Sequence, residues 1–193
     1  WCLKKTLNWI ARIKKLEVTT LDMKQDKNGF IWFATLGKGI YRLDSRSGQW
    51  KNYEVQDERG MSLPSNQVNC MSFDNSGGMW AGTSNGLCLY DRAKDQFKLM
   101  DIDIPSKVIC SIIPVGGDLW LTTTKGLVRY NRHSRSSQIF TQSDGLVSDQ
   151  FIANSAFRSS NGTVYVGTAN GFNSFDPERL SQNGHVPQVA ITS

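Results

Sequence analysis

The sequence predicts an all-β chain made of four similar units, and three observations support this fold class. A short phrase occurs four times, two sets of markers inside it keep the same spacing, and no segment from 18 to 193 has a sustained helical period. Apolar residues make up 39% and aromatic residues 10% of the chain. This composition is sufficient for a hydrophobic core and excludes disorder over most of the length.

The repeat is marked by an aromatic residue and a later glycine. The aromatic residues lie 48, 40 and 45 residues apart, at Trp32, Trp80, Trp120 and Tyr165. The glycines lie 47, 40 and 45 residues apart, at Gly39, Gly86, Gly126 and Gly171. Because two independent markers keep step, the sequence indicates a true internal repeat.

Each unit has the pattern of four short strands. In the second unit, strands are predicted at 68–73, 79–83, 87–91 and 96–100, where large apolar residues alternate with small or polar ones. Asn85-Gly86 predicts a type I′ hairpin, in which both central residues have positive φ, and Asn-Gly recurs at 28–29, 161–162 and 170–171. Four antiparallel strands in a unit of about 40 to 50 residues are typical of a β-propeller blade.

The predicted architecture is therefore a partial β-propeller of four four-stranded antiparallel blades, with a short N-terminal helix. The propeller covers 18–185, with blades at about 18–56, 63–103, 104–143 and 146–182. The aromatic markers are expected between adjacent blades, where Ala34, Gly82 and Gly167 make room. The connectors 63–68 and 146–151 match position for position, and 104–108 is one residue shorter. Their Ser, Asn and Asp residues are expected to close turns near one mouth of the ring.

Four blades are few, because propellers close with about 4 to 8. An open set of blades would expose apolar faces. We therefore expect either a fragment of a larger ring or an assembly in which another copy covers those faces.

The N-terminal segment 1–17 is basic and is predicted to form a short amphipathic helix. Its apolar residues Leu3, Leu7, Ile10 and Ile13 follow a helical spacing, and its first 16 residues hold five basic residues and no acid. This excess equals the net charge of +5, so the body is neutral and a nucleic-acid-binding role is not expected. The helix could pack on a neighbouring domain, belong to upstream or vector sequence, or bind a membrane surface or a partner. No apolar run predicts a membrane span or a signal peptide.

The cysteines and histidines do not predict a metal site or a catalytic site. Cys2, Cys70, Cys88 and Cys110 form no CxxC pair, and Cys70 and Cys110 share one repeat position. Such cysteines are expected to be buried apolar filler. His133 and His185 lie in polar segments without a recognisable catalytic motif, so both are interpreted as solvated loop residues.

The acidic pairs Asp22/Asp26 and Asp101/Asp103 lack the dense oxygen spacing of a calcium loop. They are interpreted as turn and surface acids. The sequence thus predicts no catalytic residue, no metal and no cofactor, and it does not identify ligand-binding residues. Whether this segment has an enzymatic activity stays open at this point.

The phrase D-x-x-G-x-x-W-x-G-T-x-x-G-L-x-x-Y-D at 74–91 resembles the two-component regulator propeller repeat. That repeat occurs in the periplasmic sensor region of hybrid two-component histidine kinases of Bacteroidetes. The stretch NSAFRSSNGTVYVGTANGFNSFDPERL, followed by VPQVAITS, is similar to the closing blade of such sensors and to the start of the Ig-like domain after it, here 186–193. Pro114 and Ser159 depart from the pattern at the position of Asp74.

The resemblance implies a non-catalytic sensor fragment on the periplasmic side of the inner membrane. The whole protein would then add further propeller blades, an Ig-like module, a transmembrane helix, a histidine kinase and a DNA-binding response-regulator part. The expected partners are an oligosaccharide ligand and either the remaining blades of the receptor or another copy in a dimer. No nucleic acid is expected in this segment, and the membrane is reached only through the missing part. The alternatives are a propeller lyase resembling streptogramin lyases and a protein-binding propeller scaffold.

Overall fold

The computed structural model describes residues 17–55 and 63–180. The predicted N-terminal helix, the position of His185 and the predicted linker 186–193 lie outside these residues. The described chain forms fifteen strands and one short 3₁₀ turn, Gln142–Asp144. No described helix is long and apolar enough to cross a membrane.

The strands form four antiparallel sheets, and each sheet follows chain order from the inner to the outer strand. Blade 1 comprises β1 Thr20–Gln25, β2 Phe30–Thr35, β3 Ile40–Asp44 and β4 Trp50–Tyr53. Blade 2 comprises β5 Val68–Phe73, β6 Met79–Thr83, β7 Gly86–Asp91 and β8 Gln96–Leu99. Blade 3 comprises β9 Ile109–Val115, β10 Asp118–Thr123, β11 Gly126–Asn131 and β12 Ser136–Phe140. Blade 4 comprises β13 Phe151–Arg158, β14 Val164–Thr168 and β15 Gly171–Phe175.

These sheets confirm the predicted all-β propeller of four blades and the order of its strands. Blade 4 has three strands within the described residues, whereas the other blades have four. After β15 the chain turns, and the N–H groups of Arg179 and Leu180 both donate to the carbonyl of Asp176 at 3.2 Å. The fourth strand predicted for this blade, at about 146–182, is not found among the residues up to Leu180 that the structure describes.

The core consists of three apolar layers, one between each pair of successive blades. Trp32, Trp80 and Trp120 are buried in these layers, as predicted. Gly82 makes the expected room, because a Cβ there would lie 2.6 Å from both Cys70 Sγ and a methyl carbon of Ile109. Any larger residue at position 82 would therefore overpack the apolar layer between blades 2 and 3.

The fourth aromatic marker differs from the other three. Tyr165 was expected between blades, but its side chain is 38% exposed because no described blade follows blade 4. Phe157 and Phe172 lie on the same face and are 63% and 64% exposed, with ring centres 6.5 and 6.2 Å from that of Tyr165. The outer face of blade 4 is thus an uncovered aromatic surface of the kind predicted for an open set of blades.

Two of the buried tryptophans are hydrogen bonded to the aspartate that opens the hairpin of the same blade. Trp80 Nε1 donates to Asp74 Oδ2 at 2.9 Å, and Trp32 Nε1 donates to Asp26 Oδ2 at 3.3 Å. The same carboxylates accept backbone N–H groups of their own turns. Asp26 is therefore a turn acid, as the sequence predicted, and it also holds the core tryptophan.

An arginine links each of these aspartates to the next blade. Arg132 Nη1 lies 2.6 Å from Asp74 Oδ2, and Arg92 Nη2 lies 4.0 Å from Asp26 Oδ2. Arg92 and Arg132 occupy the same repeat position. The spacing of the repeat thus produces an ion pair across two successive blade interfaces.

The hairpins between the second and third strands are closed by a repeated threonine. The hydroxyls of Thr35, Thr83, Thr123 and Thr168 each donate to the carbonyl of the following hairpin glycine, at 2.8 to 3.1 Å. At Asn85-Gly86 only the glycine has positive φ, so the type I′ prediction is wrong. The Thr83 hydroxyl also accepts the N–H of Asn85. This side-chain hydrogen bond stabilises the turn without the backbone conformation of a type I′ turn.

The connectors between blades form the predicted turns. Ser65, Ser106 and Ser148 each accept the N–H of the residue two positions later. The Asn66 carbonyl accepts the N–H groups of Gly37 and Gly39 in the preceding blade. This connector therefore binds blade 2 to the hairpin of blade 1, and the Asp149 carbonyl in the connector 146–151 likewise accepts the N–H of Gly126 in blade 3.

Candidate functional site: the cavity on the propeller axis

Residues from all four inner strands line an open cavity of about 260 Å³ on the propeller axis. Every blade contributes to its wall. Its polar lining comprises Asp22, Lys24, Ser72, Ser111 and Asn154. Pockets for drug-sized ligands begin at about 300 Å³, so this cavity suits one small polar ring or a comparable group.

Asp22 carries a negative charge into this cavity. Its Oδ1 lies 2.9 Å from Lys24 Nζ, and its Oδ2 accepts the N–H of Met71 at 2.8 Å. The interpretation of Asp22 as a turn or surface acid is therefore wrong, because its carboxylate joins blade 1 to the inner strand of blade 2. Asp101 and Asp103 are exposed, as expected for surface acids.

Asn154 joins blade 4 to the opposite side of the axis. Its Nδ2 donates to the carbonyls of Leu21 and Asn69, at 2.7 and 2.8 Å. The residue has φ of 56°, a conformation that Asn tolerates better than most residues, and it lies where the pairing of β13 with β14 shifts. This kink carries the amide from blade 4 to blades 1 and 2.

Ser111 supplies an unused hydrogen-bonding group. It is buried, it lines the cavity, and its Oγ has no partner within the described residues. A buried hydroxyl without a partner costs about 1–3 kcal/mol. A ligand hydroxyl or carbonyl that reached Ser111 would recover this energy, so the cavity favours a polar, hydrogen-bonding ligand.

The histidines and cysteines do not build a catalytic arrangement around this cavity. His133 is exposed in the turn between β11 and β12, where its N–H donates to Asn131 Oδ1 at 3.0 Å, and it does not line the cavity. Cys70, Cys88 and Cys110 are buried free thiols, as predicted for Cys70 and Cys110. Burial raises the pKa of Cys110 to about 11 and that of Cys88 to about 12. These thiols are therefore neutral at physiological pH and are poor nucleophiles.

A second polar cluster, which sequence reasoning missed, joins blades 1 and 2 at their outer side. The Asp95 carboxylate accepts hydrogen bonds from the hydroxyls of Tyr53 and Tyr90 and pairs with Arg42 and Lys51. Burial alone would raise the pKa of Asp95, but the hydrogen bonds from Lys51, Tyr53 and Tyr90 lower it well below its usual range. With every polar group of the cluster paired, its role is to fasten the two blades.

Within residues 17–55 and 63–180, the side chains that could bind a metal ion are scattered. No set of three or more His, Cys, Asp or Glu residues comes together there.

The chain is thus a propeller built from repeats, with a polar cavity on its axis. Its sequence resembles those of known proteins, as follows. Residues 62–85 match the family model of the two-component regulator propeller. The chain is 25% identical to histidine kinase P4 of Formosa agariphila over 97% of its own length. It spans 18% of the length of this curated relative. The resemblance found in the repeats is therefore confirmed.

Solved structures agree with this assignment. The extracellular domain of a hybrid two-component system from B. thetaiotaomicron superimposes with a TM-score of 0.69 and 25% identity, over 84% of this chain and 21% of that one. Virginiamycin B lyase from Staphylococcus aureus superimposes with a TM-score of 0.59 over 83% of this chain and 56% of the lyase. At 13% identity the second likeness reflects the fold alone. The similarity at 25% identity supports a sensor propeller.

Proposed function

We propose that this chain is part of the periplasmic sensor region of a hybrid two-component receptor and that it contributes to the recognition of an oligosaccharide. The observation that carries the proposal is the match of residues 62–85 to the two-component regulator propeller, together with the 25% identity to the extracellular domain from B. thetaiotaomicron. In this proposal the membrane span, the Ig-like module and the kinase belong to the rest of a longer polypeptide on the inner membrane.

The axial cavity is the proposed contact point for one unit of the ligand. A sugar ring presents several hydroxyl groups that both donate and accept hydrogen bonds, and the Ser111 hydroxyl can do the same. Lys24 is 41% exposed, so its ammonium can contact both Asp22 and a ligand oxygen. The cavity volume limits the contact to about one ring, so the rest of an oligosaccharide would extend out of the mouth.

A glycan library tests this function directly. The chain should bind at least one immobilised oligosaccharide, and Ser111→Val should weaken that binding about tenfold through the lost hydrogen bond and the added bulk. Ser160→Val, at an exposed serine outside the cavity, is the matched control and should bind as the wild type does. Absence of binding across the library would contradict the sensor proposal, whereas equal binding by the Ser111 variant would contradict only the axial site.

The uncovered face of blade 4 indicates that the chain needs a protein partner at this surface. Each described interface places the aromatic marker of one blade against the next blade, and Tyr165 is the marker without such a neighbour. We propose that either the remaining blades of the receptor or another copy covers this face. Further blades inserted between blades 4 and 1 would separate Asn154 from the Leu21 carbonyl, whereas a second copy could leave that hydrogen bond intact.

Light scattering of the isolated chain tests the partner proposal. We expect the chain to self-associate through the aromatic face, because large exposed apolar patches mark interaction surfaces. Phe172→Ser should shift the population towards monomer. Leu99→Ser, which removes an exposed apolar side chain from β8, should not. A stable monomer of the wild-type chain would count against this expectation.

In the proposed signalling mechanism, the kinase responds to the relative orientation of two paired sensor domains. A ligand or a dimer contact that changes this geometry would be relayed through the Ig-like module to the kinase. Such a change requires the ligand to bind one arrangement better than the other.

A further inference from the structure

The ion pair of Asp22 and Lys24 in the axial cavity presents mainly its positive member to a ligand. Oδ1 of Asp22 accepts Lys24 Nζ at 2.9 Å and the N–H of Met23 at 2.8 Å. Its Oδ2 accepts the N–H of Met71 at 2.8 Å, so both carboxylate oxygens are occupied. The Asp22 side chain is 11% exposed, whereas that of Lys24 is 41% exposed. The part of this pair that a ligand can contact is therefore mainly the ammonium.

Lys24 keeps donor capacity after this ion pair has formed. An ammonium group has three N–H donors, and within the described residues the Lys24 ammonium is hydrogen bonded only to Asp22. Among the described residues that line the cavity, Asp22 is also the only acid. The ligand group that would complete the hydrogen bonds of Lys24 is therefore an acceptor, and an ionised acceptor would bind it most strongly.

Two neighbouring hydroxyl groups of blade 3 are buried without a partner in the described residues. Ser111 and Thr122 lie opposite each other in the pairing of β9 with β10, so their side chains share one face of the sheet. Neither the Oγ of Ser111 nor the Oγ1 of Thr122 has a described hydrogen-bond partner, and Ser111 lines the cavity. Because a hydroxyl both donates and accepts, this part of the wall suits the hydroxyl groups of a sugar ring.

Positive charge also lies at the mouth of the cavity near Lys24. Each blade begins with its inner strand, so the hairpins that follow the four inner strands lie at one end of the axis. We call this end the hairpin mouth; its hairpins are 26–29, 74–78, 116–117 and 159–163. Lys24 is the second-last residue of β1, Arg158 is the last residue of β13, and Lys27 is exposed in the first hairpin. The acids of these hairpins, Asp26 and Asp74, are buried and accept N–H groups of their own turns. The exposed charge of these hairpins and of the inner-strand ends is therefore positive.

We propose that the ring bound in the axial cavity is an acidic sugar, a hexuronic acid whose carboxylate is held by Lys24 and whose hydroxyl groups bind Ser111. This inference rests on the proposed function and adds the chemical class of the sugar. The carboxylate of such a sugar is ionised at neutral pH, and its hydrogen bond to an ammonium is stronger than one between neutral groups. A neutral hexose has a hydroxymethyl group at the same place and gives Lys24 only a neutral acceptor.

Matched pairs of sugars measure this preference. Methyl β-glucuronide and methyl β-glucoside differ only in a carboxylate against a hydroxymethyl group, and methyl β-galacturonide and methyl β-galactoside form a second such pair. Each sugar is titrated at millimolar concentration into the isotope-labelled full chain, and the NMR shifts of the backbone N–H groups of Met71 and Ser111 are followed. At least one acid should bind about tenfold more tightly than its neutral partner, because a charge-assisted hydrogen bond replaces a neutral one.

Three variants assign the preference to Lys24. Lys24→Met should weaken binding of the acid about tenfold, to the level of its neutral partner, while Asp22 keeps its two backbone hydrogen bonds. Lys24→Arg should retain the preference, because a guanidinium also donates to a carboxylate. Lys94→Met is the matched control, since Lys94 is an exposed cation in the turn between β7 and β8, away from the cavity, and both affinities should stay as in the wild type. The NMR spectrum of each variant also shows whether it is folded.

Salt provides a further check, because the preference for the acid should shrink as the sodium chloride concentration rises, whereas binding of the neutral sugar should not change. Equal affinities for the acid and the neutral sugar in both pairs would overturn this inference and leave the axial sugar site in place. A preference that survives in Lys24→Met would overturn it as well. Absence of a shift with all four sugars would overturn the inference and the axial site together, and the glycan library would then decide on the sensor proposal separately.

Discussion

Replacing Asp74 with alanine is expected to lower the free energy of unfolding by about 3 kcal/mol or more. The Asp74 carboxylate is buried, and it accepts hydrogen bonds from the indole of Trp80 and the backbone of Gly78 besides pairing with Arg132. Its removal leaves the Trp80 donor buried and the arginine without its partner. Urea unfolding followed by tryptophan fluorescence measures the loss.

The matched control is Asp91→Ala, at an acid that caps only its own turn. Asp91 accepts the N–H groups of Ala93 and Lys94 at 2.9 and 3.2 Å. We expect this substitution to cost about 1 kcal/mol. Equal losses at Asp74 and Asp91 would contradict the importance of the contact between blades.

The Asp74 carboxylate also makes stability depend on pH. Burial, the largest influence, raises its pKa, but the hydrogen bonds from Ser76, Trp80 and Gly78 and the charge of Arg132 together lower it below 3.8. A carboxylate with a lower pKa in the folded chain stabilises the fold above its unfolded pKa, and this contribution is lost as the pH falls through the folded pKa. Asp74→Asn should therefore lose less stability than the wild type below about pH 4.

Trp120→Ala is expected to destabilise the chain by about 3–5 kcal/mol. The side chain is fully buried between blades 3 and 4, where it packs on Phe140 and Phe175. Alanine would leave a large cavity in this layer and remove the stacking contacts. The indole N–H has no partner in the described residues, because Pro114 stands at the repeat position of Asp74, so the loss comes from packing alone.

Tyr165→Ala is the natural comparison, because Tyr165 occupies the same repeat position in blade 4. In this chain the substitution should cost about 1 kcal/mol or less, since the ring is partly exposed and contacts other exposed rings. In a longer protein with a covering blade, its cost should approach that of Trp120→Ala. A cost in the isolated chain equal to that of Trp120→Ala would mean that the aromatic face is already covered.

The repeat alone predicted the number of blades, their approximate bounds and the four strands of blade 2. These predictions depend on local signals, namely the turn residues, the alternation of large and small side chains, and the spacing of Trp32, Trp80 and Trp120. Such signals can be recognised without knowledge of the tertiary contacts. The hairpin threonines could also have been found, because Thr83 has a counterpart in every unit. The type I′ prediction failed because it considered the backbone preferences of Asn-Gly and overlooked the hydroxyl of Thr83.

The candidate site was not predictable in the same way. Asp22 and Asn154 reach the axis from different blades, and no motif connects residues that are so far apart in sequence. Asp95 likewise joins Arg42 and Lys51 across an interface, at a position where the other units have no acid. These contacts depend on the packing of blades against each other. The unpartnered hydroxyl of Ser111 is visible only once that packing is known.

Whether the chain is part of a membrane receptor is tested most directly by the size and location of the native protein in its source cell. Membrane and soluble fractions are immunoblotted with an antibody against this chain, and intact spheroplasts are treated with protease. We expect a membrane band several-fold larger than 21.6 kDa, with an epitope that the external protease removes. A soluble band near 21.6 kDa would contradict a receptor and leave a small self-assembling propeller.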